Sequence, residues 1–189
     1  MLKHLFVTAT SLIFKPSDAW KALSKGQTDD HESFLSRYVY PFIGLVTLVT
    51  FFGFLLSGKE NNLQIAIKES IVIVLSFFIG FFLSAYSINE VWQIVFRREP
   101  DMKLCQRFVG YSSSLMYCLE IVLVLLPEFF FLRFLVLYTI YMVWEGAMPY
   151  MEVGESEQLK FVGISTFIII VMPLAITFVL YWAIPGLGN

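Results

Sequence analysis

Long apolar runs broken by short charged clusters set the pattern of this chain. A helix needs about 20 mostly apolar residues to cross a hydrocarbon core about 30 Å thick, because each residue rises about 1.5 Å. Five stretches meet that length. The first runs from Tyr38 to Ser57 without a charge, tolerates Pro41 near its start, and stops at the turn-like SGKENN. The second begins near Ser70, passes Glu90 and ends before Arg97 and Arg98, and the third, Phe108 to Pro127, carries Glu120 as its one charge. Pro127 and Glu128 leave room only for a tight connection, so the fourth begins about Phe129 and lies antiparallel to the third. The fifth, Phe161 to Ala183, has no charged residue and an expected kink at Pro173.

Residues 1–37 follow a different pattern. Leu5 to Phe14 is too short to span, and Lys15 and Pro16 stand where a signal peptide would need small residues for cleavage. Pro16 suits the first turn of a second short helix, PSDAWKALSK, which places Trp20 and Leu23 on one face and Lys21 and Lys25 on another. Such segments lie in the interface plane, which makes Trp20 the expected membrane-interface anchor. GQTDDHES is a polar linker into the first span. The expected fold is therefore all-α: a polytopic integral membrane protein in which residues 1–37 form a cytoplasmic, interfacial amphipathic segment and residues 38–189 five transmembrane helices.

Composition sharpens this picture. Of 189 residues 58% are hydrophobic, 17% aromatic and only 15% charged, too little polar material to clothe a water-facing surface. Mean hydropathy is +0.74. Cys105 and Cys118 lack the spacing of a redox or metal pair and read as small apolar residues. A net charge of -2 gives no basic excess, which argues against a nucleic-acid partner. Lys and Arg are unevenly shared between the two sides. Lys3, Lys15, Lys21, Lys25, Arg37, Arg97, Arg98, Lys103, Arg107 and Lys160 fall on one side, and Lys59, Lys68 and Arg133 on the other. Positive loops resist translocation, so the N-terminus is expected in the cytoplasm and the C-terminus outside the cytoplasmic membrane.

Candidate chemistry is sparse. His4 and His31 both fall outside the spans, and neither a HExxH, a GxxxxGK[ST] nor a GxGxxG pattern occurs, so no catalytic site, metal site or cofactor is expected. One glutamate does stand on each of three helices: Glu90, Glu120 and Glu145. Carboxylates at membrane depth are costly and face the bundle interior or water. Ser113, Tyr117 and Glu120 share a face of the third helix, and Tyr138, Tyr141 and Glu145 a face of the fourth. The bland reading, a hydrogen-bonded structural cluster, is favoured. The sharper one is a cavity for a cation, proton or small polar ligand. Small residues at Ser76, Gly80 and Ser84, and at Gly110, Ser114 and Cys118, make strips for close helix packing within the chain or in a homo-oligomer. The acidic MEVGESEQLK faces the basic RREPDMKLCQR, as solvated loops or as a docking surface for a cytoplasmic protein.

Three segments carry a resemblance: IFKPSDAWKAL before the membrane, GYSSSLMYCLEIVLVLLP as a third span ending in proline, and LYTIYMVWEGAMPYMEVGESEQLKFVGIS from fourth span to fifth. In this order of parts the chain resembles the Yip family of small five-span membrane proteins, named for interaction with Ypt/Rab GTPases, and more closely its bacterial branch. The DLYGP-like motif of the longer eukaryotic N-terminal regions is absent here, so Rab binding does not carry over, and the family offers no catalytic residue to transfer. The resemblance implies a non-enzymatic, membrane-embedded interaction or organising protein. The competing expectation is a small transporter or ion-conducting subunit that uses the intramembrane glutamates. The two differ in whether a continuous water-accessible path exists.

Overall fold

Pro16 opens helix α2 (Pro16–Lys25) and Gly26 closes it, after α1 (Leu2–Phe14) has already packed Leu5, Ala9 and Leu12 inward. In this computed structural model residues 2–26, 34–56 and 62–184 are described, and His31 and Lys59 lie outside them. Five helices are long and apolar enough to cross a membrane: Leu35–Leu55, Leu63–Ile94, Met102–Leu125, Pro127–Ala147 and Glu155–Ala183, called here the first to fifth spans. The described residues are almost all helical, as an all-α polytopic membrane protein requires.

Local chemistry explains where these helices depart from ideal. Pro41 has no N–H to give the carbonyl one turn back, and the first span starts in a wider π turn over Leu35–Val39, with Tyr40 N–H donating to Leu35 O. The third span breaks at Ser113 into Met102–Ser112 and Ser114–Leu125, and Asp101 caps its start by accepting from Leu104 N–H at 2.9 Å. Leu126 stands before Pro127 in a non-helical conformation, and the fourth span begins as a tight 3-10 stretch, Pro127–Tyr138, before relaxing into Thr139–Ala147. Pro173 is accommodated within the fifth span, where Thr177 Oγ1 donates to its carbonyl at 2.9 Å.

The third span lies against the first, second and fourth, while the second also packs on the first and fifth and the fifth on the fourth. Helix α1 covers the third span between the first and the fourth: Phe6 meets Phe42 at 6.5 Å, and Tyr138 OH donates to Ile13 O at 2.9 Å. Both small-residue strips join helices within the chain. On the second span Gly80 lies so close to the fifth that an added Cβ would stand 2.9 Å from Pro173 Cα. Ser76 Oγ and Thr177 Oγ1 lie 2.9 Å apart in a hydroxyl–hydroxyl hydrogen bond, and Ser84 Oγ donates to Ile168 O at 3.4 Å. On the third, Gly110 lies under Phe34 and Val39, and Tyr38 OH donates to Ser114 Oγ at 2.6 Å. Large apolar side chains such as Phe52, Phe134, Phe167, Phe178 and Trp182 cover the outside, a surface suited to acyl chains rather than water.

The spans are longer at their ends than the apolar runs alone indicate. The second starts at Leu63 rather than near Ser70, and the fourth at Pro127 rather than Phe129. Lys68 and Glu69 thereby fall on helix instead of loop, because a helix continues into the headgroup region where charge is tolerated.

Candidate functional site

The three glutamates singled out by sequence do not meet. Glu90 is near the end of the second span that adjoins the N-terminal helices, and Glu145 near the matching end of the fourth, both half-buried. Glu145 accepts a hydrogen bond from Tyr141, which is exposed, whereas Tyr138 turns away to hold α1 through Ile13. Ser113 and Tyr117 are buried, and Tyr117 hydrogen-bonds Ser113 one turn back. Glu120 points into a separate cleft toward the opposite face. Its partner there is Glu69 on the second span, and Glu69 is about 30 Å from Glu90 along one helix at about 1.5 Å per residue.

That cleft has a volume of about 530 Å³ and takes one polar side chain from each of the five spans: Thr50, Glu69, Glu120, Arg133 and Tyr181. Tyr181 OH donates to Glu69 Oε2 at 2.6 Å. Glu120 lies in the field of both the Arg133 guanidinium and the Glu69 carboxylate. Thr50 is buried to 1% exposure, yet its hydroxyl has no hydrogen-bond partner. Ile73, Leu123, Val124 and Phe54 supply apolar walls, and at Gly53 the first and third spans come so close that an added Cβ would stand 2.5 Å from Val124 Cγ1. Of this set sequence reasoning found Glu120 alone. Arg133 is legible as the single charge inside FFFLRFLVLY at the start of the fourth span, but it entered only the count of positive charges, and Glu69 in IKESIVIV fell before the expected start of the second span.

One layer toward the N-terminal helices, the interior closes. Tyr117 meets Phe42 at 5.2 Å and Phe77 at 5.1 Å, with Val46 fully buried beside them. Ring contacts of this kind fill the space between the first, second and third spans, where water would have to pass from Glu120 toward Glu90.

Beyond that layer, the expected membrane-interface anchor is corrected. Trp20 is not in contact with lipid. It is fully buried within the protein, its Nε1–H donates to Met142 O at 2.9 Å, and its ring lies 5.3 Å from Phe108 and 5.1 Å from Tyr150. An indole that finds both an apolar cage and a carbonyl acceptor inside the bundle has no reason to remain in the headgroups. Gly146 makes the seat possible, since a Cβ there would stand 2.6 Å from the ring. Tyr150, in the loop after the fourth span, has its phenol pKa raised by burial and by Tyr111, against the lowering pull of Arg107. At the rim Arg98 and Glu157 approach at 3.9 Å, which joins the basic and acidic loops, but the pair is solvent-exposed and contributes little.

Among the described residues no three His, Cys, Asp or Glu side chains gather at one point in a manner that would hold a metal. No curated protein and no solved structure matches the chain. The model of the Yip1 domain matches residues 10–185, from within α1 past the end of the fifth span. Nearly the whole five-span unit is covered, and the chain belongs to the Yip1-domain family.

Proposed function

We propose that this protein is a non-enzymatic, membrane-embedded organising protein that presents its N-terminal face to a protein partner. The observation that carries the reading is the aromatic layer of Phe42, Phe77 and Tyr117. A conducting protein needs a continuous polar path, whereas this layer separates Glu120 from Glu90 and Glu145. Membership of the Yip1-domain family supports a membrane protein whose work is interaction. The docking surface is the joined rim of Arg97, Arg98, Glu155 and Glu157, where opposite charges are exposed side by side. In this reading the protein sits in the cytoplasmic membrane of a bacterium with that rim inside the cell, as the Lys and Arg distribution favours.

Two measurements test the proposal. Reporter tags before Met1 and after Asn189 should lie on opposite sides of the membrane, with the first inside. Vesicles containing the purified chain, loaded with a pH- or cation-sensitive dye, should show no flux above empty vesicles. Flux in the wild type that disappears in Glu120→Gln, with the protein still folded, would replace this reading with the transporter.

A further inference from the structure

We infer that the five-span cleft is a headgroup site for an ethanolamine phospholipid, with the primary ammonium held by Glu69, Glu120 and Thr50 and the phosphate by Arg133. The first argument is depth. Thr50, Glu69, Glu120, Arg133 and Tyr181 all lie within about 12 Å of the ends of their helices at that face, by the rise of about 1.5 to 2 Å per residue. This is the boundary between headgroups and acyl chains. The second is the donor and acceptor count. A primary ammonium presents three N–H donors and no acceptor. The cleft presents two carboxylates and the Thr50 hydroxyl, whose oxygen is buried and without a partner. A quaternary choline has no N–H to give and is recognised instead by a cage of several aromatic rings, whereas this cleft is lined by two, Phe54 and Tyr181, among the aliphatic Ile73, Leu123 and Val124.

The third argument is charge. With both carboxylates ionised the cleft carries one negative charge more than Arg133 neutralises, a balance that favours a cation inside. Arg133 is exposed, and beyond the field of Glu120 its guanidinium can also meet a phosphate. Leu125, Leu126, Phe129 and Phe130 stand exposed beside it and offer apolar surface for acyl chains. A zwitterion with ammonium and phosphate a few bonds apart satisfies both ends of the site at once.

The test uses the full-length chain, stripped of lipid in detergent and titrated in separate arms with dioleoyl phosphatidylethanolamine, phosphatidylcholine and phosphatidylglycerol. Bound lipid is counted by native mass spectrometry. Each intramembrane hydrogen bond is worth about threefold in affinity, so three to an ammonium should favour the ethanolamine lipid over the choline lipid by at least about tenfold. Thr50→Val removes a hydroxyl that bonds nothing in the protein. It should leave the melting temperature unlowered and still cut that preference about threefold. Glu69→Gln with Glu120→Gln should abolish the preference, and Arg133→Gln should weaken all three lipids alike. If the double variant fails to fold, Thr50→Val alone decides. Equal binding of ethanolamine and choline lipids overturns the proposal, as does preference for phosphatidylglycerol. Displacement of the lipid by free ethanolamine at equal affinity also overturns it, because the ligand would then be a water-borne amine.

Discussion

Replacing Trp20 should loosen the whole N-terminal unit, because one indole bonds α2 to the fourth span and fills the space between the third and fourth. Emptying a buried tryptophan site costs about 3 to 5 kcal/mol when the surroundings relax only partly. Here the side chain is fully buried, and its hydrogen bond to Met142 O, worth about 0.6 to 1.7 kcal/mol at membrane depth, is lost with the ring. In a chain of this size each kcal/mol moves the melting temperature by about 2 to 4 °C, so Trp20→Ala should lower it by about 6 to 20 °C in detergent. Trp20→Phe, which keeps most of the ring contact with Phe108 and Tyr150, should cost about 2 kcal/mol or less. Gly146→Ala drives a methyl into the same ring, and should cost about 1 to 3 kcal/mol in the wild type but far less once Trp20 is alanine. A double-mutant cycle read by thermal unfolding measures that coupling. Additivity within about 0.5 kcal/mol would refute the docking geometry. So would strong quenching of Trp20 by lipid-borne probes in a variant lacking Trp92, Trp144 and Trp182.

Gly80→Val should separate the second and fifth spans at Pro173 and destabilise by about 1 to 3 kcal/mol, seen as a lower melting temperature, while Gly163→Ala at an open position should change nothing. In lipid-free detergent Glu120→Gln should melt within about 2 °C of the wild type, since it keeps shape and hydrogen-bonding capacity, and Glu120→Leu should fall further. The raised phenol of Tyr150 sets a sign for alkaline pH. The folded state holds that proton more tightly than the unfolded chain, so its contribution is complete below about pH 10, the ordinary tyrosine value, and is lost as pH rises above it. Melting temperature followed from pH 8 upward should therefore drop less steeply in Tyr150→Phe than in the wild type.

The spans were legible because the bilayer imposes a length and a polarity that the apolar runs reveal, and Pro41 and Pro127 stand where helices start, while Pro173 lies inside the continuous fifth span. The strips through Gly80 and Gly110 were legible for a related reason: only small residues let two helices touch, and both strips found a partner within the chain. The cleft was not legible. Its five polar groups come from five helices whose rotation and vertical offset depend on packing, and a one-dimensional pattern holds neither. Position along the spans does place Glu90 and Glu145 toward the expected cytoplasmic ends and Glu120 deeper, but periodicity cannot show that Glu120 turns toward Glu69 and Arg133 rather than toward the other two. Trp20 misled in another way. An amphipathic helix near a membrane presents the same pattern whether its apolar face meets lipid or a protein groove, and Gly146, the residue that opens the groove, lies far along the chain.

The two halves of the bundle differ in where their charged groups lie: the cleft gathers Glu69, Glu120 and Arg133 on the face away from the N-terminal helices. Toward the N-terminal helices several polar side chains tie elements together, Trp20 to Met142, Tyr138 to Ile13, Tyr38 to Ser114 and Gln158 to Trp144, although the buried hydroxyls of Ser112, Thr139, Ser165 and Thr166 have no partner there. Each of these bonds joins two elements, so that half spends its polar side chains on holding α1, α2 and the loops in place. Toward the other face Tyr181 bonds Glu69 and Thr177 meets Ser76, and within the cleft the Thr50 hydroxyl is left without a partner. A buried hydroxyl without a partner costs about 1 to 3 kcal/mol, and valine at position 50 would avoid that cost at nearly the same volume. On the proposed reading the threonine, beside two carboxylates and a guanidinium near the ends of their helices, serves a headgroup that enters from the membrane. On the same reading the aromatic layer of Phe42, Phe77 and Tyr117 is the floor of the cleft, with the headgroup held on one side of it and the partner-binding face on the other.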